Sequence, residues 1–135
     1  MSDATTTTTT GLGALLQSTQ PDTLATCSVD LSEFFDGQPA VFAFQEPDVP
    51  RLAAVQEDAK RLRRAYPQMP KGGCMEVALL ALTFTGDPSP LTAGDLFMRL
   101  ALAKPRAYVR LRQAWSEAFP FLAGDETVLD ERVNS

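Results

Sequence analysis

Residues 74–84 read CMEVALLALTF, and only Glu76 and Thr83 interrupt the apolar run. A helix that is apolar on nearly every face is stable in water only when other elements enclose it. The run is also far short of the ~18 apolar residues that a membrane span needs. Whatever else the chain forms must therefore be built around this segment. At 135 residues and 44% hydrophobic content, there is enough material for one such core and not for two.

The elements that could form the shell follow from local patterns. In CSVDLSEFF, Val29 and Leu31 alternate with Asp30 and Ser32, the period of a half-buried strand. DGQP supplies turn residues, with Asp36-Gly37 the strongest pair for a tight reversal. AVFAFQ then returns with Phe42 and Phe44 on one face. The two runs predict an antiparallel hairpin over residues 27–45. EPDVP ends it. Asp48 is suited to cap a helix whose first turn holds Pro50, where a missing N–H costs nothing. Leu52, Val55, Ala59, Leu62 and Tyr66 follow at spacings of three and four, which predicts one helix over about 48–66. The central helix is expected over 73–84. A third helix, over 92–104, opens on TAGD, which has capping-box spacing with Asp in place of Glu or Gln. Pro105 separates it from a fourth, over 105–119, bearing Tyr108, Leu111, Trp115 and Phe119. The expected fold class is α+β: an N-terminal hairpin and a four-helix body in one domain over 23–123. Residues 1–22, with a threonine run, are expected to be a flexible tail, and residues 124–135 an acidic one.

Charge is laid out in blocks. Residues 1–50 carry seven acids and no Lys or Arg; residues 51–112 carry eleven bases against five acids. The bases cluster at Lys60, Arg61, Arg63 and Arg64, and again at Arg106, Arg110 and Arg112. Converging clusters could bind a phosphate backbone. Helix faces that neutralise the acidic hairpin are the plainer account, and the net charge of −5 disfavours nucleic acid as the partner.

Little in the chain can do chemistry. It has no histidine, which removes the usual triads and most transition-metal sites. Cys27 and Cys74 stand alone and are expected to be reduced thiols. The glycines of PKGG precede a helix start, where anions can bind, but a flexible turn accounts for them as well. The side-by-side carboxylates do not make a catalytic pair. No catalytic residue, cofactor or metal is expected. Without a signal peptide or a spanning segment, the protein is expected in the cytoplasm. Binding is the remaining possibility. Phe119, Phe121 and Leu122 flank Pro120 near a helix end and form a candidate partner patch. An isolated hairpin is marginal, so the strand Val41, Phe42, Ala43 and Phe44 is expected to pair with a second copy.

The aromatic strand with Phe42 and Phe44, the helix start with Pro47, Val49 and Leu52, the central apolar helix, and the closing Trp115, Phe119 and Pro120 together resemble the tail assembly chaperones of long-tailed bacteriophages. The resemblance spans residues 27–122. It implies a protein that coats the tape-measure protein, keeps its apolar helices soluble and recruits tail-tube subunits in the host cytoplasm. It also implies that the protein is not an enzyme and has no cofactor. In such a role the patch at Phe119, Phe121 and Leu122 would grip the client, with Arg61 and Arg64 meeting its acidic segments. Two other classes fit the residues: a structural subunit of a virion or injection machine, and a small nucleic-acid-binding regulator that uses the basic helices.

Overall fold

The computed structural model describes the backbone of residues 3–122 and the side chains of residues 11–122. It contains helix α1 (Asp3–Ser18), strands β1 (Thr26–Asp30) and β2 (Val41–Gln45), and helices α2 (Val49–Leu52), α3 (Val55–Ala65), α4 (Lys71–Thr83), α5 (Ala93–Ala103) and α6 (Pro105–Ala118). The class is mixed α+β, with one two-stranded antiparallel sheet. Among the described residues there are six named α-helices rather than four.

The expected central helix is α4. Cys74, Val77, Ala78, Leu79 and Leu80 are all buried on it, and it packs against α3, α5 and β2. Its two polar interruptions, Glu76 and Thr83, are seven residues apart and so share a face. That face meets α6. Glu76 accepts hydrogen bonds from the Tyr108 hydroxyl and, at 3.3 Å, from the Arg112 guanidinium. The Trp115 indole N–H donates to the Thr83 hydroxyl at 3.0 Å, and that hydroxyl lies within 2.9 Å of the Leu79 carbonyl oxygen, as donor to it. Buried polar groups cost free energy unless bonded. Both breaks in the apolar run are thus paired, and they fix α6 beside α4.

The hairpin lies over this helical layer. Val29, Phe42 and Phe44 are buried, and Thr26, Ser28 and Asp30 face solvent. Phe42, Phe44, Phe84 and Phe97 form an aromatic cluster whose ring centroids lie 5.2–6.1 Å apart. Offset and edge-on contacts of this kind are the favoured aromatic geometry. The connection is longer than the tight Asp36-Gly37 reversal expected from the sequence. Asp30 accepts from both the backbone N–H and the hydroxyl of Ser32, which ends β1 early. A 3₁₀ turn over Ser32–Phe35 follows, and Asp36 (φ 56) and Gly37 (φ 80) then take the left-handed conformation. Asp and Gly tolerate that region better than most residues.

The helix expected over 48–66 is divided into α2 and α3. Asp48 caps α2 by accepting from the Arg51 N–H at 2.9 Å, as its position suggested. The Ala54 N–H then bonds to the Arg51 carbonyl three residues back, which interrupts the α-helical ladder. The Arg51 guanidinium donates to the Leu82 carbonyl at 2.8 Å and ties the short helix to the end of α4. At the start of α5, the Thr92 hydroxyl accepts from the Asp95 N–H at 3.2 Å. The Asp95 carboxylate accepts a hydrogen bond from the Tyr66 hydroxyl at 2.9 Å, joining α3 to α5. Residues 1–22, expected as a flexible tail, contain α1. It is broken at Gly11 (φ 78), and its side chains from Gly11 onward are exposed. Ser18 and Thr19 bond back to the Ala14 and Leu15 carbonyls at its end. The acidic tail at 124–135 lies outside the described residues.

Candidate functional site

The C-terminal apolar patch is not a single surface. Phe119 is 3% exposed, Leu122 is 7% exposed, and Phe121 is 73% exposed. Pro120 follows the last turn of α6, and the Leu122 N–H bonds to the Phe119 carbonyl. That turn returns Leu122 to the core and directs Phe121 outward. Phe119 packs edge-on against Trp115, with centroids 5.7 Å apart. Two of the three expected contact residues are therefore core, and Phe121 alone of the three is exposed.

The self-pairing strand needs a similar correction. Phe42 and Phe44 are buried, Ala43 is half-buried, and only Val41 is well exposed. The outer edge of β2 is also occupied. Phe44 forms a bridge with Phe84, and the Thr85 N–H donates to the Ala43 carbonyl at 2.9 Å. The segment leaving α4 thus covers the edge that was expected to take a second copy.

The two basic clusters have separated roles. Around α6, Arg110 approaches Glu33 at 3.9 Å, Arg112 pairs with Glu76, and Lys104 lies 5.0 Å over the Phe35 ring. Arg112, through buried Glu76, ties α6 to α4, whereas Arg110 and Glu33 are both more than half exposed and their contact adds little. On α3, Arg61 pairs with Asp58 and Lys60 with Glu57, each at 3.4 Å on exposed faces. Such pairs stabilise little. Arg63, Arg64 and Lys71 make no ion pair among the described residues. With Lys60, Pro67 and Met69 they line an open hollow of about 480 Å³ between the end of α3 and the start of α4. Arg64 faces this hollow, whereas Arg61 does not line it. Helix α3, which carries these arginines, packs on α4, while α6, which precedes Phe121, packs on α5 and β1.

A second open hollow, of about 540 Å³, lies between the hairpin and α5. Val41, Phe42, Leu96, Leu100 and Ala103 give it apolar walls, and Arg99, Lys104 and the acid Asp87 line it as well. Leu96, Leu100 and Ala103 recur at spacings of four and three and so share one face of α5. The hollow arises because the long connection carries Pro39 and Ala40 alongside α5 without filling the space between them. Nothing in the local pattern marks such a gap.

Both cysteines are free thiols. Burial raises the pKa of each, and at Cys74 the nearby Arg63 partly offsets it. This is the opposite of what a reactive thiolate needs. Among the described residues, no group of three or more His, Cys, Asp or Glu side chains could hold a metal ion. No described helix is long and apolar enough to cross a membrane.

No protein-family model, curated protein or solved structure matches the chain.

Proposed function

We propose that this protein is a tail assembly chaperone of a long-tailed bacteriophage. In this reading it holds apolar helical segments of the tape-measure protein in solution and helps bring tail-tube subunits to them. The observation that carries the reading is the hollow between the hairpin and α5. Its apolar side chains with cations beside them suit the apolar face of an amphipathic helix flanked by acids. Phe121 and the basic hollow at Arg64 supply further apolar and charged contacts. Affinity then comes mainly from the apolar contacts, and charge sets rate and register.

The test is co-expression with a tape-measure segment. The wild-type protein is expected to keep the segment soluble. Val41→Asp and Phe121→Asp, both at exposed positions, are expected to lose most of that effect while keeping the wild-type circular dichroism spectrum. A segment that stays soluble without the protein, or equal rescue by both variants, overturns the reading. One observation favours a second reading, the regulator: four cations line one hollow, and three of them have no ion pair among the described residues. A nucleic-acid binder would lose affinity with salt at a slope approaching one log unit per phosphate contact, whereas client binding through apolar contacts changes little. A structural subunit would remain in purified particles, from which a chaperone is absent.

A further inference from the structure

The hairpin has two edges, and they differ. The Leu31 N–H donates to the Ala40 carbonyl at 2.8 Å, and the Glu46 N–H donates to the Ala25 carbonyl at 2.8 Å. The register between them is continuous, with Thr26 opposite Gln45 and Asp30 opposite Val41. Antiparallel pairing alternates, so the backbone groups of Ala25, Cys27, Val29 and Leu31 face β2. Those of Thr26, Ser28 and Asp30 face the other way. Among the described residues, nothing pairs with them. The outer edge of β2 is covered by Phe84 and Thr85, so β1 carries the open edge.

This edge lacks the usual protection against pairing. TCSVD contains no proline, no lysine and no bulge. Its one charge, Asp30, is tied back to the hydroxyl and N–H of Ser32. Those bonds hold its carboxyl below the usual carboxylate range.

We propose that β1 pairs antiparallel with β1 of a second copy about a two-fold axis at Ser28, giving a four-stranded sheet in the order β2-β1-β1-β2. The edge is self-complementary in this register. Ser28 meets Ser28, and Thr26 meets Asp30 of the other copy, so all three outward residues find partners. Charge favours the same arrangement. Residues 1–50 hold seven acids and no base, and a self-pairing strand has to keep its own acids apart. The axis at Ser28 puts each Asp30 opposite a neutral threonine and separates the two carboxylates by four residues. Like charges directly opposite one another would destabilise the pair. On the core face, half-buried Cys27 falls opposite buried Val29 of the other copy, which extends the apolar layer across the junction. A two-stranded sheet is marginal, and this pairing doubles it. The inference does not depend on the identity of any client.

Sedimentation analysis of the full chain from micromolar to millimolar concentration tests the proposal, with wild type expected to dimerise. Ser28→Pro removes an N–H that the hairpin does not use. It is expected to raise the dimer dissociation constant about tenfold or more, because two symmetric hydrogen bonds are lost. Ser28→Lys places two like charges opposite each other at the axis. It is expected to act in the same direction and serves as the second probe if proline disturbs the hairpin. Register is read by cross-linking in a Cys27→Ala background. Ser28→Cys brings two Cα atoms to about 5.5 Å, within disulfide range. Thr26→Cys leaves its two copies about 14 Å apart, given ~3.4 Å rise per residue. The first is expected to cross-link on mild oxidation and the second is not. A wild type that stays monomeric throughout overturns the proposal. A dimer unaffected by both Ser28 variants, or equal cross-linking at 26 and 28, also overturns it. So does a monomer whose Thr26, Ser28 and Asp30 amides gain exchange protection only when a foreign strand is added.

Discussion

Thr83 shows how much one side chain can specify. It is the last polar break in an otherwise apolar helix, and its hydroxyl is both donor to the Leu79 carbonyl and acceptor from Trp115. Both Thr83 and Trp115 are buried. Thr83→Val keeps the shape and removes the acceptor, so the indole N–H is left unsatisfied in the core. A loss of roughly 1–3 kcal/mol is expected, the usual cost of an orphaned buried donor. Denaturant unfolding followed by tryptophan fluorescence measures it. A change within about 0.5 kcal/mol, the range of an inert surface substitution, would show that the bond contributes nothing to stability. Glu76 has a related role seven residues earlier, where Tyr108 and Arg112 converge on it. Neither residue's partner is legible locally. A polar side chain in an apolar run announces that it needs a partner; the sequence alone does not say which helix supplies one.

Elements were easier to read than their ends. The apolar periods of α3, α5 and α6 and the alternation of β1 and β2 correspond to elements in the structure, because each reflects a face that must be buried. Caps were legible where a short polar side chain precedes the stripe, as at Asp48 and Thr92. The expected reciprocal bond from Asp95 is replaced by the contact with Tyr66, since another helix offers its hydroxyl to the carboxylate. The break between α2 and α3 had no signal in RLAAV, whose residues are all compatible with helix. Asp48→Ala is expected to destabilise the fold by about 0.5–2 kcal/mol through loss of the bond to the Arg51 N–H. Thermal unfolding of the variant gives the answer; an unchanged midpoint means that α2 does not depend on its cap. Asp48→Ser, which retains an acceptor, is expected to recover most of the loss.

At the scale of the molecule, the body around α4 and the exposed part of α1 differ in character. Leu12, Leu15 and Leu16 are exposed, and the hydrogen bonds at the end of α1 are local. Removal of residues 1–22 is therefore expected to leave the unfolding midpoint close to that of the full chain. The shift should be smaller than the ~4–8 °C that one kcal/mol produces in a domain of this size. A larger fall, measured by calorimetry, would mean that the segment contributes to the core.

The sequence by itself determined the class of fold, the identity of the central helix, most of the core-facing stripes and two of the caps. All of these depend on residues near one another in the chain, where side-chain period and backbone propensity act directly. Only the tertiary structure decided which aromatics are accessible. Phe119 and Phe121 are two residues apart and chemically alike, and the turn at Pro120 sends one to Trp115 and the other to solvent. It also decided which strand edge is free, because Thr85, forty-two residues from Ala43, folds back to cover β2. The distribution of the basic residues between ties to α6 and the open hollow at Arg64 has the same origin. A cation's neighbours come from other elements, and the order of residues along the chain does not record them.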